Sequence, residues 1–224
     1  KPDYAIAYFN RANAKKDLGD TEGALADYNK AINLNPLDSQ AYIYRAMIYT
    51  NDKDLKNYVS AIDDWTAYLE ILPGSIDGYF QRGKLKVMQA KHLQAIDDFN
   101  IAIELFETKY KPTVLTKYMP LTMISIYESK AESKKKLGEN EGAINEYTKL
   151  IRYISNLSKE ITKEQLRPYY ARIYGKRGDI HLAIRNLKGA CNDFKNAILY
   201  GNYQKEFYLE RKEEEGAWCR NMPD

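Results

Sequence analysis

Five cations and five acids recur at a fixed spacing along this chain of 224 residues. Arg11 is followed by Asp27, Arg45 by Asp64, Arg82 by Asp98, Lys130 by Glu146 and Arg177 by Asp193. The separation is 16 residues in four cases and 19 in the second, where the chain carries three extra residues. An arginine beside a carboxylate could bind an anionic ligand or assist catalysis. A catalytic residue is not repeated five times, however. A spacing that stretches with an insertion is the signature of a structural contact. We therefore expect salt bridges between paired helices, at least partly buried. Removing one partner of a buried pair costs about 3–5 kcal/mol, because the other charge is left uncompensated. Arg82→Ala is accordingly expected to lower thermal stability.

Other chemistry is sparse. There is no Gly-rich phosphate loop, no His-x-x-x-His and no Cys-x-x-Cys. No serine sits in a nucleophile-elbow context. His92 falls in an expected turn and His181 on a helix of the last repeat, so each reads as a surface or boundary residue. Cys191, beside Ala190, reads as a buried and inert thiol. A bond to Cys219 would require the tail to fold back onto the last repeat. The chain is thus expected to be no enzyme and to hold no metal or cofactor. With 34 basic and 31 acidic side chains, its net charge of +3 lacks the excess that nucleic acid demands. Lys134, Lys135 and Lys136 read as a solvated helix end. No run approaches the ~18 apolar residues of a membrane span. A cytoplasmic location is slightly favoured, although the Lys1-Pro2 start suggests a piece of a longer protein.

The elements that must position the charges are repeats. Tyr8-Phe9-Asn10-Arg11-Ala12 returns as Tyr42-Ile43-Tyr44-Arg45-Ala46 and Tyr79-Phe80-Gln81-Arg82-Gly83. Later copies read Tyr127-Glu128-Ser129-Lys130-Ala131 and Tyr174-Gly175-Lys176-Arg177-Gly178. Each is followed by a small residue and, four positions on, an aromatic: Ala24 and Tyr28, Ala61 and Trp65, Ala95 and Phe99, Ala143 and Tyr147, Ala190 and Phe194. That spacing places both on one helical face. Pro36 and Pro73 close the first two copies, and Gly19 and Gly138 mark turns between paired helices.

This pattern resembles the tetratricopeptide repeat: an aromatic, then a large and a small residue, later Ala-x-x-x-Phe and a final Pro. Two features depart from it. Arg or Lys replaces the usual Leu before the small residue in every copy, and copies three to five lack the closing Pro. The resemblance implies an all-α, right-handed superhelical solenoid of antiparallel helix pairs. Its repeats would span 1–36, 37–73, 74–109, 110–157 and 158–201, with a capping helix over 202–224. The second copy carries its three extra residues near 51–58 between its helices, and the insertions near 110–123 and 158–170 are read as lengthened helices with a short connector, a loop being the competing reading. They lengthen the helices of the fourth repeat and the first helix of the fifth. Pro112, Pro120 and Pro168 lie in these insertions and are tolerated in a first helical turn. In the tail, Phe207, Ala217 and Trp218 would pack inward under a charged outer face.

The resemblance further implies a non-catalytic module that binds a protein or peptide in a groove lined by the first helices. The groove-facing residues would be Phe9, Asn13 and Lys16, then Ile43, Met47 and Thr50, then Phe80, Lys84 and Val87. Copies four and five would add Glu128, Glu132, Lys135, Arg172, Gly175 and Asp179. Phe9, Ile43, Met47, Phe80 and Val87 form an apolar strip in the first three copies, the kind of surface that marks binding sites. A neighbouring helix covering the strip is the competing reading. The carboxylate clamp of chaperone-binding relatives is excluded, because of its five polar slots only Asn13 is matched. Of the 20 tyrosines, Tyr44, Tyr49, Tyr118, Tyr169 and Tyr170 are candidates for exposure. Two alternatives to a peptide-binding module stand: a scaffold that self-assembles as a homo-oligomer through its terminal repeats, and a regulatory domain of a larger protein.

Overall fold

The computed structural model describes residues 2–51, 57–109, 119–157, 161–201 and 219. Among the described residues there are ten α-helices and no strand. They are α1 (Pro2–Asp17), α2 (Thr21–Leu34), α3 (Ser39–Asn51), α4 (Tyr58–Ile71), α5 (Ile76–Met88), α6 (His92–Lys109), α7 (Met119–Lys136), α8 (Asn140–Leu157), α9 (Lys163–Ala183) and α10 (Leu187–Tyr200). Each odd-numbered helix packs on the even-numbered helix that follows it. The chain divides into two compact units, Lys1–Val114 with α1 to α6 and Leu115–Asp224 with α7 to α10. Within the first, α2 also packs on α3 and α4 on α5; within the second, α8 packs on α9. No described helix is long and apolar enough to cross a membrane.

Side-chain caps start many of the helices. Asp20, Asn57, Ser75 and Asn186 each accept a hydrogen bond from the backbone N–H three residues on. Thr162 and Gln165 form a reciprocal capping box at the start of α9. Four of the links inside a pair need one residue at positive φ. Gly19 and Gly138 supply it without a Cβ penalty, whereas Ala90 (57°) and Arg185 (60°) supply it with one. Pro168 stands within α9, six residues from its start rather than in its first turn. The later helices are long: α6, α7 and α8 have 18 residues each and α9 has 21, against 13 to 16 for α1 to α5. The insertions expected near 51–58, 110–123 and 158–170 fall partly outside the described residues. The tail, with Phe207, Ala217 and Trp218, also lies outside them.

The core of each hairpin is a small residue on the first helix set against an aromatic on the second. Ala12 and Tyr28 share one buried cluster, and Ala46 and Trp65 another. Where the aromatic is Phe, the small residue is Gly. A Cβ built on Gly83 would stand 2.6 Å from Phe99, and one on Gly178 2.7 Å from Phe194. Gly83→Ala should therefore destabilise the first unit, since overpacking costs about 1–3 kcal/mol against about 1 kcal/mol gained in helix propensity. Gly142→Ala is the control, because its Cβ would meet the flexible Lys134 chain at 3.3 Å and Glu139 at an ordinary 3.6 Å. Urea titration should show a lower midpoint for the first variant alone.

Cys191, buried on α10, is joined to Cys219 by a disulfide, with Cα atoms 5.4 Å apart. The sequence left this pairing open, on the condition that the tail returns to the last repeat. Repeat spacing carries no information on where a tail residue returns, and here Cys219 returns to the last hairpin.

Candidate functional site

The five charge pairs meet across the paired helices. Arg11 donates through Nε and Nη2 to both Asp27 oxygens at 2.7 Å. Arg82 grips Asp98 at 3.1 and 2.7 Å, and Arg177 grips Asp193 at 2.8 and 2.6 Å. Arg45 binds both oxygens of Asp64 in the same way. Lys130 lies 3.1 Å from Glu146. All five acids are buried. Hydrogen bonds from Arg11 hold the Asp27 carboxyl well below the usual carboxylate range, against the upward push of burial.

Each arginine lies over a tyrosine, and three of them make a further bond. Its guanidinium lies over the tyrosine three residues earlier: Arg11 on Tyr8 at 5.2 Å, Arg45 on Tyr42 at 5.7 Å, Arg82 on Tyr79 at 5.4 Å and Arg177 on Tyr174 at 5.5 Å. Nη1 then reaches back to the preceding hairpin. Arg45 bonds Asn29, Arg82 bonds Thr66 at 3.3 Å and Arg177 bonds Thr148 at 2.8 Å. Asn29, Thr66 and Thr148 each follow the core aromatic of that hairpin, Tyr28, Trp65 or Tyr147. One side chain thus closes its own hairpin and fastens it to the one before. A Leu in the same slot could do neither.

Sequence reasoning missed a second cation. Lys15 lies 2.9 Å from Asp27, Lys86 2.7 Å from Asp98 and Lys134 2.8 Å from Glu146; the fifth hairpin has His181 in this slot, 3.8 Å from Asp193, and burial lowers its pKa, which favours the neutral imidazole. The signal was available, since each falls four residues after the first cation, on the same helical face. The second copy has Tyr49 there. Among the described residues Asp64 has Arg45 as its only cation within salt-bridge distance.

In the first unit, α1, α3 and α5 carry the expected binding strip, and most of it is half-covered by the protein's own rings. Phe9 packs edge-on to Tyr28 and Tyr44, with centroids 5.9 and 5.5 Å apart. Ile43 leans on the cluster of Trp65, Tyr68 and Leu69. Phe80 tilts against Phe99 at 6.2 Å, and Val87 is half-buried. Met47 is the exception, with 45% of its surface exposed. Lys16 and Lys84 each hold their ammonium over a ring of the strip, Tyr44 at 5.4 Å and Phe80 at 5.3 Å. Asn13 accepts the hydrogen bond of the buried Tyr28 hydroxyl, and Thr50 is tied to its own backbone at Ala46. Burial pushes the Tyr28 hydroxyl up to about 12, so it remains a donor at neutral pH. Tyr44, a candidate for exposure, is half-buried and stacked 6.3 Å from Tyr28.

The second unit treats the equivalent positions differently. Arg172 lies 2.8 Å from Glu128, and Lys176 bridges Glu128 at 2.9 Å and Glu132 at 3.1 Å. Glu132 also accepts from the Tyr147 hydroxyl at 2.7 Å. Gly175 is buried. These charges are spent on one another across α7 and α9.

Residues 5–37, the first hairpin, match the model of the tetratricopeptide repeat. That hairpin is similar to a tetratricopeptide repeat. Solved structures agree on the tetratricopeptide-type fold over nearly the whole chain. The MamA protein is 19% identical, with 96% of this chain and 97% of that one aligned at a TM-score of 0.67. YrrB, a TPR protein with an unusual peptide-binding site, is also 19% identical and aligns 93% of this chain with 92% of its own at 0.64. The C-terminal part of a TPR repeat-containing protein from Cytophaga hutchinsonii is 13% identical, with 92% and 72% aligned at 0.71. Tetratricopeptide-repeat proteins are typically non-catalytic interaction modules. Among the described residues no group of three or more His, Cys, Asp or Glu could hold a metal ion.

Proposed function

We propose that this protein is a non-catalytic interaction module whose first unit holds an apolar stretch of a partner polypeptide against α1, α3 and α5. The observation that carries this reading is Met47, exposed at the middle of a strip of half-buried Phe9, Ile43, Phe80 and Val87. Methionine is unbranched and polarizable, and it adapts to varied apolar partners. Lys16 and Lys84 at the rim favour acidic residues beside that apolar stretch. The likeness to YrrB, which has a peptide-binding site, supports the same use of the fold.

The test uses peptides selected from a random library against the whole chain. Met47→Glu should weaken them at least tenfold while leaving the melting temperature unchanged. Phe80→Glu is a poorer probe, because it would also set a charge against Phe99. Equal affinity for wild type and Met47→Glu would refute the reading. We place the folded chain in an oxidising compartment, since disulfides persist there and are rare in the cytosol. Thiol trapping before cell lysis should find no alkylated cysteine, and a doubly alkylated chain would contradict the placement.

A further inference from the structure

The first and last hairpins share a tyrosine pair that the others lack. Tyr4 and Tyr8 on α1 stand where Tyr170 and Tyr174 stand on α9, each pair being one helical turn apart. In the last hairpin that pair receives a third ring. Tyr200, at the end of α10, stacks on Tyr170 with centroids 4.7 Å apart and on Tyr174 at 5.8 Å, with interplanar angles of 23° and 4°. The residue equivalent to Tyr200, six positions after the core aromatic, is Leu34 in the first hairpin. The difference is visible as space. Tyr4, Tyr8, Lys30, Asn33 and Leu34 line a cleft of about 450 Å³ between α1 and α2. Tyr4 and Leu34 are largely exposed within it.

The charge around the cleft is positive. Lys30 is exposed, holds its ammonium 5.3 Å over the Tyr8 ring, and has no acid within salt-bridge distance among the described residues. Arg11 lies over the same ring and is 56% exposed. Its Nε and Nη2 hold the Asp27 carboxylate at 2.7 Å.

We propose that this cleft is a second recognition site, which takes an aromatic side chain flanked by a carboxylate from a partner polypeptide. The ring enters between Tyr4 and Tyr8 as Tyr200 does over Tyr170 and Tyr174, gaining offset stacking and excluding water from both faces. The neighbouring carboxylate pairs with Lys30. Phe9, Asn13 and Lys16 take no part in it, so the site is independent of the strip around Met47.

The probe is the acetylated, amidated tripeptide Glu-Tyr-Glu, followed by chemical-shift changes of the tyrosine rings in the whole chain. Saturating shifts are expected at Tyr4 and Tyr8, with affinity at least tenfold weaker for Glu-Ala-Glu. Leu34→Tyr should supply the missing ring internally, as the last hairpin does, and weaken the tripeptide at least tenfold. Leu34 is exposed, so the fold is retained. Lys30→Glu should reverse the preference toward Lys-Tyr-Lys. The proposal is overturned by unshifted Tyr4 and Tyr8 rings at millimolar peptide, or by equal affinity of wild type and Leu34→Tyr. It is equally overturned if Leu34→Tyr changes the sedimentation coefficient without changing peptide binding, which would assign the cleft to contact between copies.

Discussion

Arg45→Ala should be more damaging than Arg82→Ala or Arg11→Ala. Asp64 is buried, and Arg45 is its only cation within salt-bridge distance among the described residues. Removing the guanidinium also breaks the bond to Asn29 on α2 and the contact with Tyr42. A buried carboxylate without a partner costs about 3–5 kcal/mol. Arg82→Ala removes a similar set of contacts, but Lys86 remains 2.7 Å from Asp98 and keeps that carboxylate paired. Arg11→Ala leaves Lys15 beside Asp27. Chemical denaturation should therefore rank Arg45→Ala as clearly worse than Arg82→Ala and Arg11→Ala. Adding Asp64→Asn to Arg45→Ala should recover part of the loss, because the uncompensated charge goes with it. Equal losses for the three arginines would show that the second cation carries no weight.

The second large effect concerns the tail. The disulfide closes a loop with a sequence separation of 28 residues. Restricting the unfolded chain over such a loop is worth about 3–4 kcal/mol. Cys219→Ser should lower the stability of the second unit by that order. The first unit, which contains neither cysteine, should keep its own transition. Reductant should reproduce the variant's curve with the wild type and leave the variant itself unaffected. A wild type indifferent to reductant would remove the bond from the account.

Much of this architecture could be read from residue types and spacing. The 16- and 19-residue intervals carried the charge pairs, because a contact between two helices must track the length of the link between them. Ala24 with Tyr28 and Ala95 with Phe99 were legible as one helical face, whereas the contacts of Tyr28 with Ala12 and of Phe99 with Gly83 appear only once the paired helices are set together. The strip was legible in position but not in exposure. Whether Phe9 faces solvent or Tyr28 and Tyr44 depends on ring orientations that a sequence pattern does not encode. Ala90 and Arg185 were missed as turn residues because neither type favours positive φ; the packing of the flanking helices imposes it. Glu128, Glu132 and Arg172 were read as a mixed-charge binding surface, and their mutual pairing appears only when α7 and α9 are set side by side. The Cys191–Cys219 bond was illegible because it lies outside the repeat logic.

The central proposal is that the first helices of the first unit meet the partner. Photo-crosslinking tests this most directly. Benzoylphenylalanine placed at Met47 on α3, or at Val59 on α4, offers two exposed positions on the two kinds of helix. A library-selected peptide should cross-link to the chain from position 47 and not from position 59. Equal yields from both positions, or a yield from 59 alone, would contradict the account.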